Sequence, residues 1–153
     1  MGITDHLAVA DVILDLDATS KRDVLQRLAS EAARRSERDE TEILDALRAR
    51  ERLGSTALGR GVALPHARLE GNPPPLALFA RLRRPIDFEA RDEEPVDLVI
   101  LVLWPQASPE GFLPTLSDTC RSLREPQVLR HLRSAKVAED VVALLAGPPL
   151  AAT

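Results

Sequence analysis

Apolar and polar positions along the chain follow two periods, and together these periods predict a mixed α/β fold. Residues 11–17 alternate apolar and polar side chains over a short span, which is typical of a strand. Residues 76–83 alternate in the same way, and we expect Pro85 to end that strand. Residues 96–104 are almost continuously apolar, which indicates a central strand covered on both faces.

Apolar residues at helical spacing predict five helices. A first helix begins after Ser20, which forms with Asp23 a pattern resembling a capping box. A second helix begins near residue 40 or 41 and ends near Gly54, so that Arg50 lies in its last turn. Three C-terminal helices follow, with limits marked by Pro109, Pro126 and the segment Gly147-Pro-Pro.

The order of these elements favours a single compact domain. A strand, two helices, two or three strands and then helices are arranged as expected for an α/β layer with helices packed on a mixed sheet. Residues 71–75, Gly-Asn-Pro-Pro-Pro, form a break too short for a domain linker, and we expect a rigid surface turn there. The length of 153 residues fits one domain, which we expect to span residues 1–153.

Composition and charge exclude several classes of protein. The net charge of −4 argues against nucleic acid as the main partner. The longest wholly apolar run, residues 98–104, is too short for a membrane span, which needs about 20 residues. The N-terminus lacks the pattern of a signal peptide, so a cytoplasmic location is expected. The single cysteine, Cys120, cannot form an intramolecular disulfide.

The candidate chemistry is concentrated in residues 50–68, which contain three of the seven glycines and a Pro-His pair. Glycines in this pattern indicate tight turns, and they precede a short apolar strand at residues 61–64 with His66 at its mouth. A histidine with the ordinary pKa of about 6.5 is mostly neutral at pH 7 and can act as nucleophile, base or metal ligand. Arg50 and Arg68 favour an anionic substrate, because guanidinium groups pair with phosphate or carboxylate.

The same residues resemble a known family. The resemblance is to the active-site signature of the fructose/mannitol-type IIA domains (EIIA) of the phosphotransferase system (PTS), and most of all to the nitrogen-regulatory IIA proteins. It covers nearly the whole chain and implies a compact mixed sheet with helices on both faces and the active histidine at the sheet edge. The residues that carry it are Arg50-Glu51, Gly54-Ser55-Thr56, Gly59-x-Gly61 and Ala63-Leu64-Pro65-His66-Ala67-Arg68.

The resemblance implies a phosphohistidine relay or regulatory protein. His66 is the residue that would accept a phosphoryl group from the phosphohistidine of a small HPr- or NPr-like phosphocarrier. One phosphoramidate is exchanged for another, so no nucleotide, metal or other cofactor is expected. The output would be a IIB domain or a regulatory target.

Further residues have expected roles in this site. The donors to the phosphoryl group are expected to be Arg50, the hydroxyl of Thr56 beside the turn residue Ser55, and backbone N–H groups of the glycine loop. Arg68 is expected to line the docking surface. Members of the family usually carry a second histidine where this chain has Phe112, in Phe-Leu-Pro-Thr-Leu instead of a His-Leu-x-x-Leu pattern. The glycines of the loop that is expected to supply backbone N–H donors are Gly59 and Gly61.

Several alternatives stay open at the level of sequence. The chain could act mainly as a binding module switched by phosphorylation, docking to a kinase or a potassium transporter. A hydrolase with His66 as general base lacks a Gly-x-Ser-x-Gly nucleophile pattern. A metal site at His66 has one nearby carboxylate, Glu70, and is short of ligands. The acidic residues 87–94 read best as a solvated loop, and no oligomeric state follows from the pattern.

Overall fold

The computed structural model describes residues 2–147. Within this range the chain forms six strands and five α-helices, preceded by 3₁₀ turns at Ile3–Asp5 and Val9–Asp11. The strands are β1 Val12–Leu16, β2 Ala57–Gly59, β3 Val62–Ala63, β4 His66–Leu69, β5 Leu76–Ile86 and β6 Val96–Pro105. The helices are α1 Lys21–Ser36, α2 Glu40–Arg52, α3 Phe112–Ser122, α4 Pro126–Ser134 and α5 Ala138–Ala146.

All six strands belong to one mixed sheet organised around β6. The strand order is β1-β5-β6-β3-β2, and β4 also pairs with β6. β5 runs antiparallel to β6, whereas β3 and β4 run parallel to it at successive positions along the same side. Among the strands of residues 2–147, β4 pairs only with β6, so it lies at an edge of the sheet. The predicted mixed sheet is therefore confirmed.

Two hydrophobic cores lie on opposite faces of the sheet. One core packs α1 and α2 against the sheet and includes Leu101 and Leu103 of β6. The other packs α3, α4 and α5 against the opposite face and includes Ile100 and Val102. Because alternate residues of β6 enter both cores, its continuous apolar sequence matches a strand covered on both faces. The prediction of helices on both faces is confirmed.

Three local predictions were wrong. β5 continues through Pro85 to Ile86, because its pairing with β6 is irregular between Arg81 and Ile86 and tolerates a residue without an N–H. The apolar strand ends at Ala63 instead of running to Leu64, and His66 begins a strand of its own, β4. Ser20 caps α1 by accepting from the N–H of Asp23 at 3.0 Å, but the Asp23 carboxylate accepts from Thr19 and not from Ser20.

The described part of the chain contains no helix long and apolar enough to cross a membrane. The acidic segment 87–94 follows β5 as a loop, as expected, but its Phe88 is fully buried. The Lys21 ammonium lies 4.9 Å from the centre of the Phe88 ring. The loop is thus anchored to the N-terminus of α1. Gly147 ends α5, and the two prolines after it lie outside the described residues.

We expect Gly61→Ala to destabilise the fold by about 1–3 kcal/mol. Gly61 has a φ of +80°, and a Cβ there would lie 2.5 Å from the Arg133 guanidinium and 3.3 Å from the Pro95 carbonyl oxygen. Denaturant unfolding measures the change. Gly2→Ala is the matched control, because a Cβ at Gly2 meets no atom within 4 Å. Equal stability of the two variants would contradict a structural role for Gly61.

Candidate active site

His66 lies at the first position of the edge strand β4, where it pairs with Val102 of β6. Pro65 precedes it, and the Pro65 carbonyl accepts from the N–H of Val102 at 3.1 Å. The sheet therefore continues across the proline although the strand is interrupted. The His66 side chain is half-buried, so its imidazole is held by the protein and still open to a partner.

The two imidazole nitrogens of His66 have different partners, and these partners define the tautomer. Nδ1 lies 2.8 Å from the carbonyl oxygen of Leu64. A carbonyl oxygen only accepts, so the hydrogen bond network assigns the proton to Nδ1. Nε2 then carries a lone pair, and the Nε–H of Arg50 donates to it at 3.3 Å. The same guanidinium donates to the Gly54 carbonyl oxygen at 3.0 Å, which fixes its direction.

The surroundings of His66 lower the pKa of its imidazole below the ordinary value. Burial is the main cause, and the positive charge of Arg50 on α2 acts in the same direction. The hydrogen bond to Leu64 and the negative charge of Glu51 oppose this shift. The net result is a neutral imidazole at pH 7. Such an imidazole can attack an electrophile through Nε2. The guanidinium beside Nε2 is in place to stabilise negative charge on the group that is attacked.

A surface cleft of about 650 Å³ opens over His66. Arg68, two positions along β4, lies in its wall and is exposed. Phe112, at the start of α3, closes the opposite side with its ring centre 5.9 Å from that of His66, at 63°. The Phe112 ring also packs against Trp104 at 5.7 Å. The structure thus brings together four of the residues singled out in the sequence: His66, Arg50, Arg68 and Phe112.

The hydroxyl residues of the glycine loop do not line this cleft. The Ser55 hydroxyl donates to the carbonyl oxygen of Phe88 at 2.7 Å, which ties the loop to the acidic segment. Thr56 is buried, and its hydroxyl donates to the carboxylate of Glu51. Their expected contact with a phosphoryl group stays a prediction.

Gly59 and Gly61 lie in the β2–β3 turn, away from the cleft. Added side chains there would meet Asp92 at Gly59, and Arg133 and Asp97 at Gly61. Between them, the N–H of Arg60 donates to Asp92 at 2.9 Å. In this structure the turn glycines therefore allow close packing of distant segments and leave no N–H of Arg60 free for an anion.

Glu51 is part of the active-site signature, but sequence reasoning assigned its side chain no role in the site. Its carboxylate accepts from the N–H of Thr56 at 3.2 Å and pairs with Lys21 at 2.9 Å. A signal was present, because Glu51 follows Leu47 by four positions and Leu44 by seven on the buried face of α2. A charged residue at a core position of a helix indicates a paired or hydrogen-bonded group.

Residues 2–147 contain no group of three or more His, Cys, Asp or Glu side chains arranged to hold a metal ion. At His66 the neighbouring charged groups are the cations Arg50 and Arg68 and the carboxylate of Glu51. The Glu51 carboxylate is occupied by Lys21 and Thr56. The donor set of the cleft therefore suits an anion bound by guanidinium groups.

We expect Arg50→Ala to raise the pKa of His66. The substitution removes a positive charge beside Nε2 and lets water reach the ring, and both changes favour the imidazolium. Titration of the imidazole by NMR measures the shift, with the wild-type midpoint below the ordinary 6.5. As the pH falls, the neutral form of wild-type His66 should persist below that value. Arg52→Ala, at the exposed end of α2, is the matched control and should leave the titration unchanged.

Comparisons with known proteins identify the family of this chain. Residues 5–147 match the family described as "Phosphoenolpyruvate-dependent sugar phosphotransferase system, EIIA 2". The chain is 41% identical to a nitrogen regulatory protein from Bradyrhizobium diazoefficiens over 152 residues, which is 99% of each protein. It is 40% identical to a nitrogen regulatory protein from Pseudomonas aeruginosa over 128 residues, which is 83% of each.

Solved structures show the same fold. The nitrogen regulatory protein IIA-Ntr from Neisseria meningitidis superposes with a TM-score of 0.89 at 32% identity, over 94% of this chain and 98% of that one. The mannitol IIA protein from Escherichia coli superposes with a TM-score of 0.75 at 19% identity, over 91% and 98%, and shows the fold alone. The chain therefore belongs to the EIIA type 2 family of the phosphotransferase system and is similar, within that family, to the nitrogen regulatory proteins.

Proposed function

We propose that His66 accepts a phosphoryl group from the phosphohistidine of an HPr- or NPr-like phosphocarrier. The observation that carries this proposal is the pair of hydrogen bonds at the imidazole. Leu64 holds the proton on Nδ1 at 2.8 Å, and Arg50 lies 3.3 Å from the lone pair of Nε2. This arrangement presents a nucleophile and a cation to the same side of the cleft.

The transfer balances without any further reactant. The Nε2 lone pair of His66 attacks phosphorus, and the phosphorus–nitrogen bond of the carrier breaks with its electron pair returning to the carrier's imidazole. The His66 ring then carries the phosphoryl group on Nε2 and a proton on Nδ1, where the Leu64 carbonyl stabilises it. The guanidinium of Arg50 compensates the negative charge on the phosphoryl oxygens. Once Nε2 is bonded to phosphorus it no longer accepts a hydrogen bond, and the guanidinium donates to those oxygens instead.

The rim of the cleft fits a protein that carries the phosphoryl group. Leu53, at the end of α2, and Leu113, on α3, line the same cleft as His66 and are 84% and 72% exposed, and apolar side chains grouped at a cleft suit contact with a protein partner. Among residues 2–147, those that line the cleft include Arg50 and Arg68 and no carboxylate, which favours a phosphorylated partner. A solved neighbour with the same fold, the Escherichia coli mannitol IIA protein, was determined in complex with phosphorylated mannitol IIB.

The proposed physiological role is regulatory and cytoplasmic. Two relatives that this chain matches over 99% and 83% of their length, from Bradyrhizobium diazoefficiens and Pseudomonas aeruginosa, are named nitrogen regulatory proteins. Phosphorylation of His66 would place a dianion in the middle of the exposed apolar rim, which changes the partners that the surface can bind. Docking to a kinase or a potassium transporter, switched in this way, is compatible with transfer. Onward transfer to a IIB domain is expected to be slow, because Phe112 supplies no hydrogen-bond donor where members of the family usually carry a second histidine.

We expect incubation with a radiolabelled phosphocarrier to label wild-type protein, with an acid-labile and base-stable product, and to leave His66→Ala unlabelled. His66 is the histidine with an oriented and accessible Nε2. His131→Ala is the matched control, since His131 is exposed on α4 outside the cleft, and it should label normally. Labelling of His66→Ala on His6 or His131 would overturn the proposal.

We expect Arg50→Ala to slow labelling by roughly 10- to 100-fold, which corresponds to about 1.5–3 kcal/mol for a hydrogen bond to a charged group. The rate of phosphoryl transfer measures the effect, and thermal unfolding checks that the variant folds. Arg52→Ala should transfer at the wild-type rate. A normal rate for Arg50→Ala would remove Arg50 from the mechanism.

We expect Phe112→His to accelerate phosphorylation of His66 and to lengthen the life of the phosphorylated form, because the added donor stabilises the phosphoryl group. Phenylalanine cannot donate a hydrogen bond, whereas an imidazole in its place lies beside His66 and supplies a donor worth about 1.5–3 kcal/mol to a charged acceptor. Phe112→Leu is the control for altered packing, because it removes the aromatic ring and adds no hydrogen-bond donor. If Phe112→His changes neither quantity, Phe112 does not face the phosphoryl group.

A further inference from the structure

A buried ion pair lies behind the active-site loop. The side chains of Lys21 on α1 and Glu51 on α2 are 15% and 7% exposed, and their charged groups are 2.9 Å apart. The carboxylate accepts two further hydrogen bonds from Thr56, one from its N–H at 3.2 Å and one from its hydroxyl. A buried carboxylate with three donors is fully satisfied, so it holds these three residues in one arrangement.

The hydrogen bonds continue from this pair to the imidazole. The carbonyl oxygen of Thr56 accepts from the N–H of Leu64 at 3.0 Å. The carbonyl oxygen of Leu64 accepts in turn from Nδ1 of His66 at 2.8 Å. One chain of hydrogen bonds therefore joins Lys21 to His66 through Glu51, Thr56 and Leu64. It reaches the nitrogen opposite the one that faces Arg50.

We propose that Glu51 is a positioning residue for phosphoryl acceptance by His66. It fixes Thr56, Thr56 fixes Leu64, and the Leu64 carbonyl keeps the imidazole in the tautomer whose Nε2 lone pair faces the cleft. The effect on transfer rests on the function proposed above for His66. The effect on the tautomer does not, because it is a property of the free protein.

The position of Glu51 explains why a carboxylate is needed there. Residues 53–56, between α2 and β2, form no helix or strand, and residues 64 and 65 lie between β3 and β4. Both connections depend on contacts with other segments to fix their carbonyl groups. Removing one member of a buried ion pair leaves an unpaired charge and is strongly destabilising, whereas an apolar pair of similar volume is often tolerated. Replacement of both members by apolar side chains is therefore expected to disturb the fold less than removal of one member.

The test compares three variants with the wild type. Lys21→Met/Glu51→Leu replaces the ion pair by apolar side chains and removes both acceptors of Thr56. Glu51→Gln keeps an oxygen that can accept from Thr56 and loses the carboxylate charge. Glu89→Gln is the matched control, because Glu89 also bonds Lys21, at 3.0 Å, but its side chain is 73% exposed and forms no hydrogen bond with Glu51, Thr56, Leu64 or His66 among the described residues.

Two measurements are made on each variant. Nitrogen NMR shifts of the His66 ring, taken on unphosphorylated protein above the midpoint of its titration, give the fraction of the Nδ1–H tautomer. The rate of labelling by a phosphorylated phosphocarrier gives the transfer rate. Thermal unfolding establishes that each variant is folded.

We expect the double variant to lose the preference for the Nδ1–H tautomer and to transfer roughly 10- to 100-fold more slowly, as when a partner that orients a histidine is removed. Glu51→Gln should show a smaller loss of both, and Glu89→Gln should match the wild type. A purely structural Glu51 would change stability and leave the tautomer unchanged.

The inference is overturned if the folded double variant has the tautomer and the transfer rate of the wild type. It is also overturned if the double variant transfers more slowly while its tautomer is unchanged. If the double variant does not fold, wild-type values of both quantities in Glu51→Gln overturn it. A wild-type protein that accepts no phosphoryl group, with a tautomer that shifts in the variants, would remove the proposed function and leave in place only the effect of Glu51 on the His66 tautomer.

Discussion

The hydrogen bond between the Leu64 carbonyl oxygen and Nδ1 of His66 decides what the imidazole can do. It leaves the lone pair on Nε2, where the guanidinium of Arg50 meets it. The bond depends on the interruption at Pro65, which has no N–H and separates β3 from β4. Because the Pro65 carbonyl still bonds Val102, the strand resumes in register on β6 and carries His66 to a fixed place at the sheet edge.

Much of the fold could be predicted because its signals are local. The presence of α1 and α2 follows from apolar spacing, the start of α1 from Ser20 and the end of α2 from Gly54, and the burial of β6 follows from its uninterrupted apolar residues. The end of β5 could not be predicted from local signals. Pro85 has no N–H and therefore predicts the end of a strand, but pairing with β6 decides where β5 ends.

The residues of the site also differ in whether local sequence signals could predict their roles. His66, Arg50 and Phe112 could be singled out from motifs, and the structure places them together around one cleft. The glycine-loop residues could not be assigned, because their partners are distant in sequence. Ser55 bonds the carbonyl of Phe88, 33 positions away, and Gly61 lies against Arg133. Sequence spacing within the loop carries no information about such contacts.

The packing of α2 against β4 has a consequence for self-association. An edge strand presents unpaired backbone groups that can add a strand from another molecule, and proteins commonly protect such edges by covering them. Here the helix that brings Arg50 to His66 also packs against the edge strand that begins with His66. Movement of α2 away from β4 would expose the apolar side chains of Ala67 and Leu69 beside that edge and so favour association between molecules. A change of charge at His66 that leaves α2 in place keeps these side chains covered.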